Sequence, residues 1–205
     1  MRVTSIIARM RDETLERWKQ RKVAQLVFTR ARQTRPKILK DDIFEEAFGQ
    51  FGTSEAAEEG TRRHAVMEKY LNAIYSRSQP PDEPWLRHLD DYLEQYDIDP
   101  VYTELEVEMG DTVGHIDLIG ENEDGNHVVI DFKTGRWKGF SSIVQVGGYM
   151  LMYGADEAHL VYINDNGFEV VEVSGTKAEN AKKTFAAMAE AVKRWDDLEA
   201  ECLYI

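Results

Sequence analysis

Two short runs of this 205-residue chain set acidic and basic side chains inside otherwise apolar segments: Gly114-His115-Ile116-Asp117-Leu118-Ile119, and Val129-Ile130-Asp131-Phe132-Lys133-Thr134-Gly135. β-branched and apolar residues through both runs predict strands. Between them Glu123-Asp124-Gly125 suits a three-residue hairpin loop with its glycine in the left-handed position. Asn122 then faces Asn126, and counting outward sets Asp117 opposite Asp131 at cross-strand distance. Strand alternation puts Lys133 on the same face and Ile116, Leu118, Ile130 and Phe132 on the other. A two-residue Asp-Gly turn would shift the register by one residue and part the two carboxylates.

Two facing carboxylates repel unless a cation neutralises them, and a hard divalent ion such as Mg²⁺ takes a few carboxylate oxygens and completes its shell with water. Such an ion polarises a phosphoryl oxygen and makes a bound water more acidic, while a neighbouring lysine orients that water and offsets developing negative charge. Asp117, Asp131 and Lys133 therefore suit hydrolysis of a phosphodiester. Gln145 and Tyr149, one helical turn apart, project from one face to contact substrate phosphate or brace the lysine.

These groups need a scaffold, and the periodicities supply one. Leu15, Trp18, Val23, Leu26 and Val27 recur at helical spacing among Arg and Lys, predicting a basic amphipathic helix over residues 12–34. A second helix is predicted over residues 54–75 and a third over 83–96, with Gln79-Pro80-Pro81-Asp82 between them. After Pro100 the period drops to two, with strands over 101–108, 112–119 and 127–134. A helix over 142–153, strands over 158–163 and 169–173, and a closing helix over 176–198 follow. The order predicts an α/β (α+β) fold, a mixed sheet flanked by helices. Residues 1–205 are expected to form one domain, mainly helical over 1–100 and β-rich over 101–205.

The formal net charge of −13 conceals a division. Residues 1–40 carry twelve basic and three acidic side chains, a local +9, so the remaining 165 residues carry −22. One end of the chain attracts a polyanion and the rest repels it. The single Cys202 excludes an intramolecular disulfide and a four-cysteine iron–sulfur cluster. No apolar run is long enough for a membrane span, the opening stretch is too short for a secretory leader, and no Walker A pattern occurs, so a cytoplasmic protein without a fused motor is expected.

The two strand runs, followed by Gln145-Val146-Gly147-Gly148-Tyr149, resemble the G-x-x-D, D-x-K-T and Q-x-x-x-Y motifs of RecB-like nucleases in the PD-(D/E)XK superfamily. Upstream, Gly60-Thr61-Arg62-Arg63-His64 with Glu68, Tyr70 and Leu71 resembles that family's histidine motif. Val3-Thr4-Ser5-Ile6-Ile7 and the stretch from Leu15 to Arg21 resemble the start of mitochondrial genome maintenance exonucleases and their phage relatives. Four motifs in order are far more specific than any one.

The resemblance implies a restriction-endonuclease-like core in which Asp117, Asp131, the Phe132 carbonyl and His64 hold Mg²⁺ or Mn²⁺, and Lys133 activates the attacking water. It implies a further glutamate in the preceding strand; Glu104 fits best, with Glu106 and Glu108 on the same strand face. Gln145, Tyr149, Thr4, Ser5, Lys19, Arg21, Arg62 and Arg63 become expected DNA contacts. The expected activity is that of a metal-dependent deoxyribonuclease, an exonuclease on single-stranded or frayed DNA ends in a bacterial or phage-infected cell, working beside replication or recombination proteins. The alternatives are a structure-selective endonuclease and an inactive DNA-binding module of the same fold.

Overall fold

The computed structural model describes residues 2–9, 54–76, 78–134 and 139–202. The chain divides into two compact units, residues 1–10 with 62–205 and residues 11–61. Most of the second unit, including the expected basic helix over 12–34, lies outside the described residues.

The chain opens with a helix the periodicities do not predict, α1 (Val3–Arg9), and from residue 54 the elements follow the expected order: α2 (Ser54–Ser76), α3 (Arg87–Gln95), β1 (Asp99–Met109), β2 (Thr112–Glu121), β3 (His127–Lys133), α4 (Phe140–Tyr153), β4 (Glu157–Asn164), β5 (Gly167–Val173) and α5 (Gly175–Cys202). The third predicted helix differs at its start, where Pro84–Leu86 forms a 3₁₀ turn ahead of α3. The strands form one mixed sheet in the order β1-β2-β3-β4-β5. Only β3 and β4 run parallel, joined through α4, and the other pairs are antiparallel.

The β2–β3 connection is the three-residue loop. Gly125 has φ +75°, and its amide donates to the Asn122 carbonyl at 2.8 Å. The Asn122 side-chain oxygen accepts from the amides of Asp124 and Asn126 at 3.2 and 3.0 Å, the local bonding that makes asparagine a turn former. Glu121 consequently pairs with His127 and Leu118 with Ile130, the register that brings Asp117 and Asp131 together.

The sheet separates two cores. On one side α1, α4 and α5 cover Ile116, Ile119, Val129, Leu160 and Tyr162. On the other, α2, the 3₁₀ turn and α3 cover Leu118, Ile130, Phe132 and Val161. With both faces buried, β3 and β4 are nearly continuous apolar runs, as a parallel pair requires. Helix α4 comes close to α5 because it carries two glycines: a Cβ on Gly147 would lie 2.5 Å from the Ala181 backbone, and one on Gly148 2.8 Å from the Phe185 ring.

One expectation is overturned here. Ile116 does not share a face with Leu118, Ile130 and Phe132; it packs in the opposite core. The neighbouring strand changes face at the same level, since Leu105 packs with Ile116 while the Thr103 hydroxyl donates to Asn72 of α2 at 2.8 Å. Between Thr103 and Leu105 lies Glu104, a non-glycine residue with φ +48°. That left-handed backbone breaks the period-two alternation of β1 where its partner strand carries Asp117.

Candidate active site

The site lies where β2 and β3 part. Their pairing ends at Leu118–Ile130, one residue short of Asp117 and Asp131. The Asp117 carboxylate fills the gap, its Oδ2 accepting the Phe132 amide at 2.7 Å. A backbone donor that leaves the sheet ladder must find a partner when buried, and here a side chain provides it.

Asp131 is buried on the α4 side of β3, its side chain 4% exposed, with Lys133 Nζ at 2.7 Å from its Oδ2. The lysine ammonium is thus the direct partner of this buried carboxylate oxygen. Burial pushes the Asp131 carboxyl up to about 6, opposed by the Lys133 charge and assisted by the like charge of Asp117. Burial acts to lower the Lys133 pKa, but the adjoining Asp131 and then Asp117 outweigh it and raise it above the ordinary lysine value. Lys133 is therefore a cation at neutral pH.

A chain of side chains holds that cation. Lys133 Nζ donates to Gln145 Oε1 at 3.2 Å, and Gln145 Nε2 donates to the Tyr149 hydroxyl at 3.0 Å. The tyrosine thereby fixes which end of the amide faces the lysine. Tyr149 is itself seated by Gly114 of β2. A Cβ there would stand 2.8 Å from the Tyr149 ring and 3.1 Å from Val3 of α1, so only glycine leaves room for both. Val3 and Ile6 are buried beneath α1, and Thr4 and Ser5 are on its exposed side.

Helix α2 brings His64 to the same opening, its Nδ1 3.6 Å from Asp117 Oδ2. Burial acts to lower the His64 pKa, but contact with the Asp117 carboxylate outweighs it and the pKa is raised. Among the three candidate glutamates, Glu104 is the one whose charge registers with Asp117 and His64; its pKa is raised by burial, then by Asp117 and Glu68. Its strained φ is the kind of outlier that concentrates at functional sites. Glu106 instead pairs with His115 on the exposed hairpin at 3.1 Å, and Glu108 is exposed. Glu68, one turn beyond His64, belongs to the recognised motif but was not expected in the site.

Two expected DNA contacts are otherwise engaged. Arg62 pairs with Glu83 at 2.7 Å, and Arg63 pairs with Asp165 at 2.8 Å while its guanidinium lies 5.1 Å over the Trp85 ring. Lys19 and Arg21 lie outside the described residues. Nothing local in the sequence marks Trp85, Glu83 or Asp165 as partners of the histidine motif.

Among the described residues no three His, Cys, Asp or Glu side chains form a ready-made cage for a metal ion. The donor set nonetheless fits a hard divalent cation. Asp131 is a buried carboxylate, Asp117 stands across from it, and the Asp117 charge raises the cost of ionising Asp131. No helix among the described residues is long and apolar enough to cross a membrane.

No curated protein matches the chain. Among solved structures it is similar to SSO0001 (23% identity over 51% of this chain and 55% of that one, TM-score 0.33). It is also similar to an alkaline exonuclease, LHK-Exo, from Laribacter hongkongensis (12% identity, 69% and 86%, TM-score 0.37) and to a phage-related exonuclease from Haemophilus somnus (14%, 74% and 90%, TM-score 0.37). The chain thus spans about half the length of SSO0001. Likeness this distant carries no weight of its own, and assignment rests on the family model for the PD-(D/E)XK nuclease superfamily, which matches residues 42–203. That match takes in His64, Glu104, both aspartates, Lys133, Gln145 and Tyr149, and on it the chain belongs to the PD-(D/E)XK nuclease superfamily.

Proposed function

We propose that the chain is a RecB-like, metal-dependent deoxyribonuclease that digests single-stranded DNA from its ends. The observation that carries the hydrolytic reading is the Asp131–Lys133 pair: a buried carboxylate facing a second carboxylate, Asp117, beside a lysine held charged and oriented by Gln145. A structural ion pair needs one carboxylate for its lysine, whereas two carboxylates held together call for a further cation. The preference for single strands rests on the motif resemblance and on the basic charge of residues 1–40.

In this reading Asp117, Asp131 and the Phe132 carbonyl hold Mg²⁺ or Mn²⁺, with His64 beside Asp117. The bound cation supplies Lewis-acid activation of the phosphoryl group and a more acidic water. The chain's own residues do the rest. Lys133 Nζ holds the attacking water and offsets charge on the phosphoryl oxygens as the water oxygen bonds to phosphorus. The phosphorus–oxygen bond to the leaving sugar breaks, that oxygen gains a proton, and the water's proton passes to solvent or a neighbouring base. Gln145 and Tyr149 keep the ammonium pointed at the reacting oxygen, and Glu104 and Asp117 orient the groups around it.

The test is degradation of labelled linear and circular single-stranded DNA with MgCl₂ or MnCl₂, beside EDTA and a Lys133→Ala control. Loss of the linear strand alone, abolished by EDTA and by the substitution, is expected. Cleavage of circles would replace the exonuclease with an endonuclease, and equal signal in every lane would refute the catalytic assignment.

A further inference from the structure

Three described side chains meet beside the histidine motif without touching Asp117, Asp131 or Lys133. Arg63, the residue before His64, lays its guanidinium over the buried Trp85 at 5.1 Å and pairs with Asp165 of the β4–β5 turn at 2.8 Å. Its side chain is only 14% exposed, whereas Asp165 is 71% exposed. Trp85 Nε1 donates to Glu83 Oε2 at 3.2 Å, and the other oxygen of Glu83 takes Arg62 at 2.7 Å. The two residues ahead of His64 are thus held by the 3₁₀ turn and the residue that precedes it, and Arg63 is also tied to the turn after β4.

We propose that Arg63, with Trp85 and Asp165 as its supports, is a positioning residue that sets His64 against Asp117, and that it does not bind DNA phosphate. Successive helical side chains diverge by about 100°, so a residue anchored immediately before His64 fixes the rotation of α2 that aims the imidazole. Trp85 also lies in the core that holds Met67, three residues after His64, and Phe132, whose amide bonds Asp117. The indole therefore connects the helix carrying His64 to the strand that orients Asp117. A guanidinium over an indole and paired with a carboxylate is largely desolvated and planar, an arrangement lysine does not reproduce and in which a phosphate would have to compete with Asp165.

The inference rests on the metal-dependent reading of the site, and its test separates the two. The full-length wild type, Arg63→Gln, Asp165→Asn and the double variant are compared for Mn²⁺ affinity by calorimetry, for the MnCl₂ concentration giving half-maximal cleavage, for binding to labelled single-stranded DNA in EDTA across a salt series, and for melting temperature. Positioning predicts that either single substitution weakens Mn²⁺ binding about 10-fold or more, as loss of a ligand's orienting partner does. The double variant should be no worse than the weaker single, because both remove one device. DNA affinity and its salt slope should match wild type. If Asp165→Asn tightens DNA binding, or Arg63→Gln lowers the salt slope by about 0.7 with Mn²⁺ affinity unchanged, Arg63 is a phosphate contact and the proposal fails. A drop in melting temperature with unchanged Mn²⁺ affinity reduces the cluster to a brace for folding and also overturns it. Wild type that binds Mn²⁺ without cutting DNA sinks the functional reading and leaves this one decided by calorimetry.

Discussion

Asp117 gives one oxygen, Oδ2, to the Phe132 amide at 2.7 Å, and the same oxygen faces His64 at 3.6 Å. A single carboxylate thus completes the backbone of β3 and forms part of the site. Asp117→Asn keeps a neutral acceptor for the amide, whereas Asp117→Ala leaves it unpaired. Both variants should lose cleavage, and Asp117→Ala should be less stable than Asp117→Asn by about 1–3 kcal/mol, the cost of an unsatisfied buried donor. Urea unfolding in EDTA measures the difference; equal stabilities would show that the bond adds nothing.

Lys133 should be dispensable for binding and essential for reaction. Replacing it by Met is expected to lower cleavage at least about 10²-fold, in line with loss of a preorganised charge at a reacting oxygen. Affinity for single-stranded DNA in EDTA should change little. Tyr149→Phe removes the acceptor that orients the Gln145 amide and should cause a smaller loss with the same pattern. Single-turnover rates beside equilibrium binding separate the two quantities.

The Asp131 carboxyl, raised by burial to about 6 from its ordinary 3.8, makes metal binding and stability depend on pH in a fixed direction. Between those values the folded metal-free protein holds a proton that the unfolded chain has released. This group's contribution to stability therefore declines as pH rises from about 4 to about 6. A bound cation reverses the penalty once the proton is gone. The rise in melting temperature on adding MgCl₂ should be small at pH 5, grow through pH 6 and level off above 7, with proton release on binding largest near pH 6. A metal-induced shift equal at pH 5 and pH 7.5 would contradict this account.

Gly114→Ala places a methyl 2.8 Å from the Tyr149 ring and 3.1 Å from Val3. Overpacking of this kind costs about 1–3 kcal/mol. Because the displaced ring ends the chain of contacts to Lys133, cleavage should fall by more than the loss of folded protein explains. Activity corrected for folded fraction, with Val3→Ala added to make room, checks this: partial recovery in the double variant is expected, and none would mean the ring does not move.

Away from the site, Tyr92 and His159 form a buried pair at 2.9 Å between their hydroxyl and Nδ1. Burial lowers the His159 pKa, with Glu157 opposing. A histidine whose folded pKa is depressed favours the unfolded chain once protonated, so its contribution to stability is lost as pH falls through about 6.5. His159→Gln should flatten the acid side of the stability profile measured by urea unfolding between pH 5 and 7.

Much of this was legible in local sequence because local forces decide it. The Glu123-Asp124-Gly125 loop sets its own register, since Gly125 adopts φ +75° without penalty and Asn122 bonds the turn, and that register carries Asp117 toward Asp131 and Lys133. Gln145 and Tyr149 needed only the pitch of a helix. Alternation puts Ile116 on the wrong face because it assumes regular strands, and no residue type marks the change of face that β1 and β2 make at the same level, beside Glu104 and its left-handed backbone.

Local spacing is enough to pick out the candidate reacting groups along two strands and one helix turn, where neighbours interact through a few residues of chain. Long-range packing sets which glutamate of β1 approaches Asp117, brings His64 on a separate helix to the same carboxylate, and pairs Arg62 and Arg63 with Glu83 and Asp165. Those outcomes depend on how α2 packs on the sheet, through Met67, Leu71, Trp85 and Phe132. Packing sums contacts between distant segments, and no periodicity within either segment contains that information.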